Sequence, residues 1–87
     1  MPDIAYTLIL SVRDAPGVLV RVAQVFARRS CNISAIHVTH PADSPASEMI
    51  ITVRNVARIN QIASQLEKLI DVYSVKVRIL TEEGQID

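Results

Sequence analysis

The stretch "VRDAPGVLVRVAQ", Val12 to Gln24, lies where a predicted strand gives way to a predicted helix. It contains Gly17, one of only two glycines in the chain, directly after a proline and directly before apolar residues at helical spacing. Upstream, residues 4–12 alternate between strongly apolar even positions and mixed odd positions, which is typical of a strand. The segment "DAPG" therefore connects strand to helix, either as a plain turn or as part of a binding site.

Each residue of this turn has a predicted role at the start of the helix. Asp14 is expected to accept hydrogen bonds from the amides that open the helix, and Pro16 has the fixed φ of a first helical turn. Gly17 allows another group to approach the backbone closely. Free N–H groups at a helix start are a natural receiver for a carboxylate or phosphate. On the local pattern alone, a plain turn is favoured over a site.

The remaining periodicities predict the order β-α-β-β-α-β. Strands are expected at 33–40, 49–53 and 72–79, with helices after Gly17 and after a capping Asn55. Each helix offers one apolar stripe, which predicts an α+β, ferredoxin-like sandwich: a four-stranded antiparallel sheet with both helices on one face. Residues 1–80 are expected to form one domain, and 81–87 a flexible tail. The stripe of the second helix is Ile59, Ile62, Ala63, Leu66, Leu69 and Ile70.

Composition narrows the possible functions. The 87 residues suit one small domain, for which oligomerisation is a common way to bury more surface. Nine basic and nine acidic residues give no net charge, so neither nucleic acid nor a membrane surface is an expected partner. No apolar run is long enough for a membrane span, and "MPDIAY" lacks the basic flank of a signal peptide, which predicts a cytoplasmic protein.

Few side chains outside the turn suggest chemistry. Asn32 is expected to end the first helix in a left-handed conformation, or else to bond a polar ligand. His37 and His40 are predicted on opposite sides of a strand, which argues against a metal pair. Cys31, the only cysteine, excludes an internal disulfide; its two neighbouring arginines are expected to lower its pKa, although an inert thiol is the favoured interpretation.

The whole pattern resembles a known family. "LSVRDAPGVLVRVAQVFARRSCNISAIHV" and "LEKLIDVYSVKV" resemble the ACT domain of the small regulatory subunit of acetohydroxyacid synthase (acetolactate synthase), and the match runs from about Leu8 to Val77. The parts that match are the turn before Gly17, the helix with its "NI" exit, and the "KL.DV..V" link to the last strand. Longer members carry a second, C-terminal domain, so this chain is similar to the short form or to a trimmed ACT domain.

The resemblance implies a non-catalytic regulatory subunit. It implies a homodimer joined through the second strands, with valine, leucine or isoleucine bound at the interface and inhibiting the first common enzyme of branched-chain amino-acid biosynthesis. This chain would bind no cofactor or metal; thiamine diphosphate, FAD and magnesium are expected on the catalytic large subunit. The ligand-binding residues carried over are Asp14, Ala15, Pro16, Gly17, Val18 and Leu19 of one protomer, with Asn32 and Ile33 of its neighbour.

One departure and two alternatives stand beside this interpretation. Family members commonly have asparagine at the position of Asp14, and an ionised aspartate repels a ligand carboxylate instead of donating to it. The first alternative is a stand-alone ACT sensor of another amino acid, such as serine or glycine. The second is a small acylphosphatase-like enzyme, for which Arg21 and Asn32 are the nominal catalytic residues.

Overall fold

The computed structural model describes the chain over residues 4–81 and 84–86. Its strands and helices follow the predicted order, β-α-β-β-α-β, with one short strand added at the end. The central strands are antiparallel neighbours in the sheet order β2-β3-β1-β4-β5. The predicted ferredoxin-like fold is confirmed. The elements are β1 (Ala5–Arg13), α1 (Val18–Arg28), β2 (Ile33–Thr39), β3 (Ala46–Arg54), α2 (Ile59–Glu67), β4 (Val72–Thr81) and β5 (Gly84–Ile86).

The even positions of β1 form the centre of the core. Leu8 and Leu10 are completely buried and lie opposite apolar residues of both β3 and β4. They pack in one cluster with Phe26 of α1 and Leu66 of α2, so both helices cover the same layer of side chains. This arrangement follows from the two periodicities, since period two in the strand and period 3.6 in the helices each give one apolar face.

The second helix is shorter than its apolar stripe suggests. Asn55 is not its cap: the helix begins at Ile59, after Arg58, and Asn55 instead has a left-handed backbone with φ of 56°. The helix ends at Glu67, so Ile70 falls in the following turn and is 92% exposed. The periodicity could not detect this end, because Leu69 still packs against the core from outside the helix.

The segment beyond residue 80 was predicted to be a flexible tail. β4 runs on to Thr81, and Gly84–Ile86 pairs with the end of β4 as the edge strand β5. Residues 82, 83 and 87 lie outside the described part of the chain. The predicted domain boundary at residue 80 stays a prediction.

At the other edge of the sheet, β2 is poorly covered. Every residue from Ser34 to Thr39 is exposed, although Ile36 and Val38 lie opposite the buried Ile51 and Met49 and therefore face the core side. Ile36 and Val38 lie on the face that carries the helices, but they stay exposed there. The result is an apolar edge strand, one side of which pairs with no other strand in the described part of the chain.

Candidate functional site

The "DAPG" segment folds as a tight turn before α1. The amide of Val18 bonds the carbonyl of Ala15 at 3.4 Å, with Pro16 and Gly17 in the two central positions. Gly17 has φ of 83° and ψ of −9°, which is the third position of a type II turn. Pro16 is therefore a turn residue and not the first residue of the helix, contrary to the sequence prediction.

Asp14 does not cap the helix either. No side chain caps α1, and the Asp14 carboxylate points instead toward the end of β2 and the start of β3. The hydroxyl of Ser47 donates to its Oδ1 at 3.3 Å, and His40 Nδ1 lies 3.6 Å from its Oδ2. The prediction failed because both partners approach from strands that are distant in sequence, whereas the capping rule considers local neighbours only.

The amides at the start of α1 are consequently open. The first helical bond runs from the amide of Arg21 to the carbonyl of Gly17 at 3.0 Å, and within the described residues the amides of Leu19 and Val20 have no backbone acceptor. Both residues are largely exposed. Exposed amides at a helix N-terminus attract anions, because the helix dipole adds to their own partial charge. The start of α1 therefore has two amides without a backbone acceptor among the described residues, and their binding of a carboxylate stays a prediction.

A buried charged residue from another turn holds this site in place. Asp71, at the end of the α2–β4 connection, is 4% exposed and accepts a hydrogen bond from Arg21 Nε at 2.7 Å. Arg13 Nη1 lies 3.9 Å from the same carboxylate. Asp71 is not among the residues predicted from the sequence. The available signal was an acidic residue within the apolar run "LIDV", since a buried acid requires a basic partner.

The residues carried over from the family lie in two separate places. Val18 is buried in the core, at 2% exposure, whereas Leu19 is 45% exposed beside the open amides. Asn32 and Ile33 follow the opposite end of α1, and an 11-residue helix is about 16 Å long. One chain therefore does not bring Asp14–Leu19 together with Asn32 and Ile33.

The loop after α1 ends the helix without using Asn32. Ser30 takes the left-handed conformation, with φ of 54°, and its amide bonds the carbonyl of Ala27. The amide of Cys31 bonds the carbonyl of Phe26 at 3.0 Å. These two bonds form a Schellman motif with Ser30 at its left-handed position, so the prediction that Asn32 ends the helix is wrong. Asn32 instead lines an open cavity.

Cys31 also differs from its prediction. Desolvation by partial burial raises the pKa of its thiol, whereas the neighbouring Arg28 and Arg29 were expected to lower that pKa. The side chain packs against the core, next to α1. Desolvation penalises the thiolate, so the structure favours the inert thiol over a reactive one.

Two other kinds of site, an acylphosphatase-like active site and a metal site, have little support among the described residues. Arg21 and Asn32, the nominal acylphosphatase pair, stand at opposite ends of α1, and the guanidinium of Arg21 is held by Asp71. Over residues 4–81 and 84–86, no three His, Cys, Asp or Glu side chains are grouped as metal ligands. In the same part of the chain, no helix has the length and apolar character needed to cross a membrane.

Comparison with known proteins agrees with the geometry. Residues 8–74 match the family model described as the AHAS small subunit-like ACT domain. The chain is 39% identical over 67 residues to the acetolactate synthase isozyme 1 small subunit of Escherichia coli K12, covering 77% of this chain and 70% of that protein. It is 41% identical over 71 residues to the acetolactate synthase small subunit of Mycobacterium leprae, covering 80% of this chain but only 42% of that protein.

Solved structures give the same result. The acetolactate synthase small subunit from Thermotoga maritima superposes with a TM-score of 0.75 at 35% identity, covering 84% of this chain and 46% of that one. A homoserine dehydrogenase from Thiobacillus denitrificans has a TM-score of 0.77 at 24% identity, covering 94% of this chain and 18% of that one, and so shares the fold alone. The sequence match, the two helices on an antiparallel sheet and the glycine turn agree: the chain belongs to the family of AHAS small subunit-like ACT domains.

Proposed function

We propose that this chain is a regulatory subunit of acetolactate synthase that dimerises through β2 and binds a branched-chain amino acid between two protomers. Its relatives carry the name of acetolactate synthase small subunits, which supports a regulatory role beside a catalytic large subunit. We further propose that this chain activates the large subunit, which would hold thiamine diphosphate, FAD and magnesium. Valine bound to this chain would inhibit the large subunit. Residues 1–80 would form the regulatory module.

The proposal rests mainly on the position of the "DAPG" turn, which lies at the same end of the sheet as the end of β2. Arg13, just before the turn, is opposite Ala46 at the start of β3, and Thr39 at the end of β2 is opposite Glu48. The turn and the last residues of β2 therefore share one end of the sheet. If two β2 strands pair antiparallel about a two-fold axis at Ile36, the middle of the strand, Ile33 of the partner subunit lies beside Thr39.

This pairing would complete a site that one chain leaves divided. Asn32 and Ile33 of the partner subunit would come to the end of the sheet that carries the open amides of α1. It would also cover Ile36 and Val38, which are 40% and 47% exposed in the single chain. An exposed apolar edge strand is a liability that proteins usually cover, so the same contact has a structural benefit.

The chemistry of the proposed site suits an aliphatic amino acid. The amides of Leu19 and Val20 would receive its carboxylate, and the exposed side chain of Leu19 with Ile33 of the partner subunit would contact its side chain. Asp14 is the least favourable element for a carboxylate. Its contacts with Ser47 and His40 direct its charge away from the helix start.

The ligand part of the proposal is tested by calorimetry. Valine, leucine and isoleucine are each titrated into the protein after sedimentation has shown it to be a dimer, with serine and glycine as the alternative ligands. We expect saturable heat with at least one branched-chain amino acid and none with serine or glycine. A dimer that gives no heat with all three branched-chain amino acids would contradict the proposed ligand class.

A further inference from the structure

We propose that a second site, complete within one chain, binds a small multiply charged anion bearing phosphate or carboxylate groups. It is an open cleft of about 640 Å³ between the loop after α1, the start of β2, the end of β3 and the first turn of α2. This volume is within the range of sites for small molecules. It goes beyond the proposed function, because it assigns a second ligand to a cleft within one chain; of the lining residues, only Asn32 is also assigned to the amino-acid site.

The charge of the cleft favours an anion. Arg29, Arg54 and Arg58 line it, and among residues 4–81 and 84–86 no aspartate or glutamate does. Arg29 Nη1 donates to Gln61 Oε1 at 3.2 Å, and no ion pair within the described residues neutralises any of the three guanidinium groups. Arginine binds phosphate and carboxylate in a planar, two-pronged geometry, so three arginines around one cleft suit a ligand with more than one negative charge.

The first turn of α2 adds to this preference. The helix starts at Ile59 with no acidic residue in its first turn and no side-chain cap, and Arg58 occupies the capping position. A cation at the positive end of a helix dipole is unfavourable by itself. An anion in the cleft would interact favourably with both the guanidinium group and the helix start.

The walls of the cleft limit the kind of ligand. Among the described residues that line it, Ile62 is buried and Val56 half-buried and none is aromatic, so they offer no surface for stacking a nucleobase. Ser30 and Asn55, the two non-glycine residues of positive φ within the described chain, also line it. Strained backbone persists where the surroundings fix it and occurs often at ligand sites. Because the described lining offers no surface for stacking, the cleft favours a small metabolite over a nucleotide.

The test uses calorimetry with pyrophosphate and, in a second arm, with citrate. We expect one site per chain, with binding that weakens as the salt concentration rises. Arg54→Gln and Arg58→Gln should each weaken binding about tenfold, because each removes a charge-assisted contact. Arg28→Gln is the matched control: Arg28 is exposed on α1 outside the lining, so its loss should change affinity less than about twofold.

The outcomes separate this site from the proposed amino-acid site. Tighter binding of pyrophosphate assigns phosphate groups to the ligand, and tighter binding of citrate assigns carboxylates. The cleft is formed by one chain, so a monomeric variant should lose valine binding but still bind the anion. The inference is overturned if neither anion binds at millimolar concentration, or if Arg28→Gln weakens binding as much as Arg54→Gln does.

Discussion

Arg21 and Asp71 join the start of α1 to the turn before β4: Arg21 Nε donates to Asp71 Oδ2 at 2.7 Å, although the residues are 50 positions apart. The backbone carbonyl of Asp71 also accepts the amide of Arg13 at 2.7 Å. One buried residue thus contacts the chain on both sides of the "DAPG" turn. The shape of the proposed carboxylate receiver therefore depends on a distant turn, and not on its own four residues alone.

Loss of this contact should destabilise the fold. Arg21→Ala leaves the Asp71 carboxylate buried, with only Arg13 at 3.9 Å as a charged neighbour. Hydrogen bonds to charged groups contribute about 1.5–3 kcal/mol, and the half-exposed guanidinium places this one near the lower value. Urea unfolding measures the free energy of unfolding. Gln24→Ala, an exposed change on the same helix, should alter it by less than about 0.5 kcal/mol. Equal effects of the two substitutions would contradict this role for Asp71.

A side chain at position 17 should disturb the turn. Gly17→Ala places a Cβ at φ of 83°, which costs about 1–2 kcal/mol, and the added atom would lie 2.9 Å from Arg21 Nη1. We expect a lower free energy of unfolding and, because the amides of α1 would shift, weaker valine binding. Pro16→Ala is the control, since any residue can adopt the conformation before the glycine of a type II turn. A Gly17→Ala protein as stable as Pro16→Ala would show that the turn has another conformation.

The regular elements of this fold could be predicted because their signals are local. Alternating residues in β1 and the helical spacing after Gly17 correspond directly to the buried positions Leu8, Leu10 and Phe26. The ends of the helices were harder to predict from the sequence. Asn55 has a favourable capping side chain, yet the helix begins four residues later, because the chain first makes a left-handed bend. Asparagine favours both a helix cap and the left-handed conformation, so the residue type alone does not decide between them.

In the proposed site, too, local features could be predicted from the sequence and tertiary contacts could not. The glycine turn and its open amides were predicted from four residues, since turn chemistry is local. The partners of Asp14 and Arg21 were not, because Ser47, His40 and Asp71 reach them through strand pairing and helix packing. Positions that have tertiary partners cannot be assigned a role from their neighbours in sequence alone.

Removal of the negative charge at position 14 should strengthen valine binding. Asp14→Asn replaces a carboxylate near the proposed carboxylate receiver by an amide that can donate to the ligand. At an exposed site the repulsion between two charges is about 1 kcal/mol, so affinity should rise about fivefold in calorimetry. Asp43→Asn makes the same charge change in an exposed loop and should leave affinity unchanged. Weaker binding after Asp14→Asn would mean that Asp14 contacts the ligand's ammonium group.

A charge on the open edge of β2 should prevent dimerisation. Val38→Lys introduces a cation at a position that is 47% exposed in one chain and would be covered by the proposed pairing. We expect a monomer by sedimentation and no heat with valine. Ile79→Lys makes a similar change at 50% exposure on β4, away from that edge, and should remain a dimer. Dissociation by Ile79→Lys but not by Val38→Lys would place the interface elsewhere.

The most direct measurement of the central claim is acetolactate formation by the catalytic subunit, titrated with this chain in the presence and absence of valine. The account predicts that the two proteins co-purify, that activity rises to saturation as the chain is added, and that valine lowers this activity but not that of the catalytic subunit alone. Co-purification with activity that is unchanged by the chain, with or without valine, would contradict it.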